Sequence, residues 1–302
     1  MQEIFLDNNG NLIGEEAWKK LISSMENSFD SLETNKERIK RVLKENLIEA
    51  VKKRTDGLGH YGILFSGGVD SSTLALISKQ LGRKFTCYSV GTENSQDLES
   101  AQRVAEECGF ELEYMILSLD ELEESIKKTL KILKNPDIVW ASVGSVVNAA
   151  CSLAIENGDR LLMGGLGSEE IFAGYKRHED SLNAGNFEAL HKECWTGLKN
   201  MWQRDLLRDC RIASSLGVRL LTPYLDIDLI NSSMKIHPMY KMSYEDKKII
   251  LREAAEEIGL KKEFAWRQKK AAQYGSNFVR GMDKLARRAG FEFKKDYLKG
   301  LI

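Results

Sequence analysis

The chain predicts an α/β protein: a doubly wound parallel sheet followed by a mostly helical C-terminal subdomain. Three observations predict it. Strand-like and helix-like segments alternate from Tyr61 to about Ala173, the pattern that gives parallel strands with helices on both faces. Glycine turns follow two of the strand-like runs, at Ser66–Ser72 and Gly164–Ser168, and ligands of such sheets collect at the carboxyl ends of strands. Beyond Ala173 the strand signals stop, and residues 181–290 read as helices with short connections, rich in Leu, Lys, Glu and Arg.

Residues 1 to about 34 read as a polar leader. From Lys36 to Arg54, Ile39, Val42, Leu43, Leu47 and Val51 recur at helical spacing among charges, which predicts an amphipathic helix. Strands are expected at Tyr61–Phe65, Phe85–Val90, Leu112–Leu117 and Arg160–Gly164. Helices near Ser71–Leu81, Asp97–Cys108, Leu119–Leu133 and Val143–Ile155 separate or follow them. The expected division is a leader and helix over 1–58, a nucleotide-binding core over 59–180 and a helical substrate subdomain over 181–302. Pro136, Pro223 and Pro238 mark plausible breaks.

Composition narrows the function classes. A formal net charge of −1 gives no global pull towards nucleic acid or an anionic membrane. No run of about 18 consecutive apolar residues is present, and the N-terminus lacks a basic-then-apolar signal, so the expected location is the cytoplasm. Cys87, Cys108, Cys151, Cys194 and Cys210 show no C-x-x-C spacing and His60, His178, His191 and His237 no ligand spacing. The cysteines read as buried thiols of a reducing compartment.

Phe65-Ser66-Gly67-Gly68-Val69-Asp70-Ser71-Ser72 carries the chemistry. A buried strand runs through two glycines into a helix start, where free N–H groups, the dipole and three hydroxyls suit a phosphate. The loop has no lysine and no G-x-x-x-x-G-K-[ST] pattern, so it is not the common NTPase loop. Asp70 stands in its place, and a carboxylate beside phosphates serves chiefly to hold Mg²⁺. The plainer alternative is a strand-to-helix turn capped by Ser71 or Ser72. The second turn, Gly164-Gly165-Leu166-Gly167-Ser168-Glu169-Glu170, likewise reads either as a helix capped by Ser168 with acids in its first turn, or as the far side of a Mg²⁺–pyrophosphate site.

The Ser-Gly-Gly-x-Asp-Ser-Ser loop resembles that of the N-type (PP-loop) ATP pyrophosphatases. With YSVG and DLESAQRVAEECG between 88 and 109, GGLGSEEIFAGY at 164–175, TPYLD at 222–226, KKIILREA and WRQKKAAQYG, the chain from about 37 to 277 resembles the synthetase half of the asparagine synthetase family. The resemblance implies a PP-loop fold of the adenine nucleotide α hydrolase type and an AMP-forming ligase with ATP and Mg²⁺ as cofactors. It implies that Ser66, Gly67, Gly68, Ser71 and Ser72 cradle pyrophosphate, that Asp70 and Glu169 hold the metal, and that backbone near Phe65 and Val90 meets adenine. Gly165 and Ser168 would line the nucleotide site, and Lys269 would stabilise charge developing on phosphate or on the tetrahedral intermediate. Tyr175, Pro223 and Asp226 would be structural.

Three departures bear on the acceptor. Met1 is followed by Gln2, where the full-length family begins its glutaminase domain with a cysteine; this predicts use of ammonia, another amine or a separate glutaminase subunit. The family's Gly-Glu-Gly-Ser-Asp-Glu is Gly165-Leu166-Gly167-Ser168-Glu169-Glu170 here, and its Glu-Ala-Arg is Arg219-Leu220-Leu221. Adenylation machinery is retained and acceptor recognition altered, so a small-molecule carboxylate other than aspartate is expected, with no membrane partner. Two other classes stay open. One is a PP-loop tRNA-modifying enzyme, with the basic stretch Arg267–Lys299 as its contact, although a solvated helical face explains that stretch more simply. The other is a non-catalytic nucleotide-binding subunit of an amidotransferase.

Overall fold

The computed structural model describes residues 2–268 and 271–302. Its centre is a parallel sheet of five strands: β1 (Tyr61–Leu64), β2 (Phe85–Thr92), β3 (Leu112–Leu117), β4 (Leu161–Met163) and β5 (Arg219–Leu221), in the order β3-β2-β1-β4-β5. The order reverses direction between β1 and β4. That is the switch point of a doubly wound sheet, where loops leaving neighbouring strands diverge and open a crevice. Both glycine turns leave the sheet there.

Helices α1 (Glu15–Met25) and α2 (Lys36–Thr55) precede the sheet; α3 (Val69–Gln80), α4 (Gln96–Cys108), α5 (Leu119–Leu133) and α6 (Ile138–Glu156) connect its first four strands. After β4 come α7 (Ser168–Ile171), α8 (Lys176–Ala184), α9 (Phe187–Met201) and α10 (Leu207–Leu216), then, beyond β5, α11 (Ile227–Met234), α12 (Ile249–Ile258), α13 (Lys262–Ala265), α14 (Ala272–Gly275), α15 (Phe278–Arg288) and α16 (Lys294–Gly300). Local chemistry sets many of the boundaries. Ser118 and Glu121 form a capping box for α5, Asp137 accepts from Val139 and Trp140 to start α6, and Gly109 ends α4 in the left-handed conformation.

Alternation along the strands splits the core between two faces. Ile63, Cys87, Met163 and Leu221 belong to one apolar cluster with residues of α2, α3, α9, α11 and α12. Tyr88, Val90 and Leu162 belong to the other, with α5, α6, α15 and α16. Neighbours along a strand thus point to opposite faces and both faces are covered, as parallel sheets require. By length and composition α6 could cross a membrane. In the fold it is a core helix, with Ala141, Ser145, Cys151 and Ala154 buried against α5, α10 and β2.

Two expectations and one alternative reading are corrected. Strand signals do not end at Ala173: β5 pairs with β4 through Leu161↔Arg219, Leu162↔Leu220 and Met163↔Leu221, so residues 181–302 supply an outer strand of the sheet. The leader is not merely polar. It contains α1, buries Phe5, Trp18 and Ile22, and is tied to α9 by a 2.8 Å bond from Trp18 Nε1 to Leu198 O. The alternative reading, with Ser71 or Ser72 and Ser168 as helix caps, does not hold: the N-cap positions of α3 and α7 are Gly68 and Gly167, each without a side-chain cap among the described residues.

Candidate functional site

The first loop is held by its own hydroxyls and by α4. Ser71 Oγ accepts from the Ser66 N–H at 3.3 Å and donates to Gly68 O at 3.3 Å, while Ser100 Oγ donates to Gly67 O at 3.1 Å. Gly67 has φ +62°, and a Cβ there would lie 2.6 Å from the Ser100 carbonyl carbon. Only glycine meets both demands. Tyr224, beyond β5, donates to Asp70 O at 3.0 Å and so fixes the first turn of α3 from behind.

The second loop brings Ser168 and Glu169 towards Asp70, and Lys248 sits between the carboxylates. Its Nζ lies 2.9 Å from both Asp70 oxygens, 2.6 Å from Glu169 Oε1 and 3.4 Å from Ser168 Oγ. Lys248 is buried, stands at φ +57° just before α12, and closes the triad from the far end of the chain. Burial would lower its amine, but Asp70 and Glu169 more than offset this and hold it above the usual lysine value. Gly174 lets the pair approach, because a Cβ there would strike the Glu169 carboxylate and the Lys248 stem.

Two carboxylates converging on one ammonium are a donor set that suits Mg²⁺ shared with phosphate oxygens and water. No group of three or more His, Cys, Asp or Glu gathers for a metal among the described residues. The pair therefore fits a metal brought in with phosphate rather than one held by protein alone.

Two cavities meet at this point. The smaller, about 250 Å³, has apolar walls from Leu64, Phe65, Val90, Val143 and Val147 and polar groups from Ser66, Ser71, Ser168 and Glu169. The larger, about 1090 Å³, is faced by Lys247, Lys248, Arg252, Arg267, Arg204 and Tyr175 among others. Asp70, Gly165, Leu166, Glu169 and Arg208 line both, so the carboxylate pair and Leu166 stand at the seam.

Of the sequence-predicted residues, Phe65, Ser66, Asp70, Ser71, Val90, Gly165, Ser168 and Glu169 share the smaller cavity. Gly67 and Gly68 shape the loop without facing it. Ser72 is fully buried, and its hydroxyl has no hydrogen-bond partner among the described residues. Lys269 lies outside the described residues. Arg267, from the same basic stretch, reaches Ser66 O at 3.3 Å and Asp97 Oδ1 at 3.4 Å, and Arg252 holds the Ala265 carbonyl at 2.6 Å and that of Arg267 at 3.2 Å.

Sequence reasoning missed Lys248 and the far wall of the larger cavity. Lys248 is the second residue of KKIILREA, a stretch that carries the family resemblance but no local sign of this lysine's place. Arg204 and Arg208 on that wall have no such signal. Residues Trp202–Leu206 form one π-helical turn between α9 and α10, a feature that often marks functional sites. From it Arg204 joins Arg177 in contacting Glu170 Oε1, and Arg208 grips Asp209 at 2.7 and 3.0 Å. The Tyr175 ring lies under both guanidiniums, 3.9 Å from Arg177 and 4.9 Å from Arg204. Burial raises the Glu170 carboxyl and the Tyr175 phenol above their usual values and lowers His178 to about 2.

The sequence matches the asparagine synthase family over residues 42–188 and 183–291. A putative glutamine-hydrolysing asparagine synthetase of Methanocaldococcus jannaschii is 34% identical over 305 residues, covering 88% of this chain and 56% of that protein. Asparagine synthetase B of Escherichia coli is 28% identical over 255 residues, 79% of this chain and 45% of that one. The chain spans about half the length of the curated relatives it matches. Among solved structures, an NMN synthetase from Francisella tularensis aligns at a TM-score of 0.41 and 12% identity over 88% of this chain and 93% of that one, a likeness too loose to bear on function.

Proposed function

The chain belongs to the asparagine synthase family, and on that premise we propose that it is an ATP-dependent, AMP-forming ligase that converts a carboxylate to an amide or related acyl product. A carboxylate oxygen attacks the α-phosphorus of ATP, the bond to the bridging oxygen breaks, and pyrophosphate leaves. An amine then attacks the acyl carbon of the adenylate, loses a proton and expels AMP. The carrying observation is the convergence of Asp70, Glu169 and Lys248 at the seam of the two cavities.

The smaller cavity suits adenosine: its walls are apolar, and Phe65 and Val90 line it, which supports their assignment to the base. Ser66, Ser71 and the start of α3 take the pyrophosphate portion, as a helix N-terminus does. Asp70 and Glu169 would hold Mg²⁺, which neutralises charge on the leaving group. Lys248 and Arg267 supply donors at the same edge. The acceptor then enters from the larger cavity and meets the α-phosphorus beside Leu166. The amine is ammonia, free or delivered by a partner.

The test is exchange of labelled pyrophosphate into ATP with a panel of carboxylates, followed by product chromatography. Carboxylate-dependent exchange, with AMP and pyrophosphate as products, is expected. ADP and phosphate instead would sink the proposal.

A further inference from the structure

The charges facing the larger cavity are unevenly satisfied. All five carboxylates that line it are already ion-paired. Asp70 and Glu169 hold Lys248, Glu170 holds Arg204 and Arg177, Asp205 holds Arg204 at 2.7 Å and Arg208 at 3.3 Å, and Asp283 holds Lys294 at 2.9 Å. Asp209, next to this wall, spends both oxygens on Arg208. Each of these carboxylates already has a cation of the protein beside it, so a ligand's ammonium group would have to compete for it.

Donors remain. Arg204 uses Nε on Asp205 and Nη2 on Glu170, and its Nη1 makes no hydrogen bond among the described residues. The π turn presents this guanidinium to the larger cavity and not to the smaller one, and the Tyr175 ring beneath it fixes its plane. Across the seam, Leu166 offers neither a donor nor an acceptor side chain. An anionic group meeting Arg204 gains a charge-assisted bond, whereas an ammonium group beside Leu166 loses water with no replacement.

Resting on the carboxylate-activation reading, we propose that Arg204 selects the acceptor by binding a second acidic group on it, and that the acceptor is a dicarboxylate-class molecule without an ammonium group. Its reacting carboxylate lies at the seam near Asp70 and Glu169. Its apolar stem passes Leu166, and its other acidic group meets Arg204. Arg204 is a binding residue in this scheme and takes no part in bond making.

The test separates this subsite from the chemistry. Binding of succinate, glutarate, butyrate and aspartate is measured calorimetrically on the full chain with Mg²⁺ and an ATP analogue carrying a methylene bridge between the α- and β-phosphorus. Succinate or glutarate should bind at least tenfold tighter than butyrate and aspartate. Arg204→Gln should erase that preference while leaving affinity for the ATP analogue within threefold, which also shows that the variant is folded. Aspartate or butyrate binding as tightly as the better dicarboxylate, or no binding of either dicarboxylate, overturns the proposal. Pyrophosphate exchange is run in parallel with the same acids. If the binding order holds but no acid supports exchange, the subsite stands and the adenylation reading falls.

Discussion

Asp70 and Glu169 arrive from different strand ends and share one ammonium, so each has a consequence when neutralised. Asp70→Asn and Glu169→Gln keep size and hydrogen bonding but remove the charge a metal needs. Each should retain the fold and lose turnover by about a hundredfold, the scale of removing one preorganised electrostatic group. Circular dichroism and steady-state rates check this, and full activity in both would reduce these carboxylates to partners of Lys248. Lys241 gives the opposite case. It is fully buried, and its only side-chain hydrogen bond among the described residues is to Met234 Sδ at 3.6 Å. Burial lowers its amine from 10.5 to about 8. A depressed lysine means the unfolded chain binds the proton more tightly, so the cost is fully present below about 8 and fades as pH rises to 10.5. Lys241→Met should therefore stabilise the protein by about 2 kcal/mol at pH 7 and by little at pH 10.5, as read by urea denaturation. The residues found from sequence are those whose signal is local: a glycine turn at a strand end announces Ser66, Asp70, Ser168 and Glu169 within a few positions. Lys248 and Arg204 gain their meaning only from tertiary neighbours, and a π turn leaves no period in the sequence to find.

At the scale of elements, the strands and helices read most closely were those long enough to show their own repeat. Leu112–Leu117 and Leu119–Leu133 stand at the expected residues. β5 escaped because three residues, one of them exposed, are too few for a period-2 pattern, and its strand character comes from pairing with β4. The N-terminal segment escaped for a similar reason. Its value lies in one buried network that no local pattern reveals. Glu3 takes Arg54 of α2 through both oxygens at 3.0 Å and also accepts from Thr222 N and Oγ1 just after β5, while Arg54 Nη1 reaches Asp226 at 3.0 Å, the N-cap of α11. The N-terminal segment, α2 and the chain just after β5 meet in this network. Arg54→Ala leaves Glu3 buried without its guanidinium and Asp226 with Lys53 at 3.4 Å in its place, so it should cost about 3–5 kcal/mol. Urea melts provide the measurement; a loss below about 1 kcal/mol, the range of an exposed pair, would show that water replaces the guanidinium at little cost.

Over the whole molecule, a net charge of −1 conceals an uneven distribution: basic side chains outnumber acids around the larger cavity. Packing around that cavity also makes stability respond to acid. His178 on α8 is fully buried; its Nδ1 accepts from the Tyr175 N–H at 3.2 Å, and its Nε2 has no partner among the described residues. Burial and the nearby Arg177, Lys241, Arg204 and Lys248 lower it from 6.5 to about 2. A depressed histidine stays neutral in the native state while the unfolded chain takes up a proton below 6.5, so its contribution is complete above that value and is lost as pH falls towards about 2. The loss is about 1.4 kcal/mol per pH unit once well below 6.5. Glu170, raised by burial, runs the other way over part of this range, so the wild-type curve alone does not isolate the histidine. His178→Gln does, since an amide can accept from Tyr175 and does not titrate. The gap in unfolding free energy between wild type and His178→Gln should move in the variant's favour by about 2–3 kcal/mol between pH 6.5 and pH 4.5, in paired urea melts. A gap that stays constant across that interval would mean that His178 is protonated in the folded protein, with the neighbouring carboxylates paying for its charge.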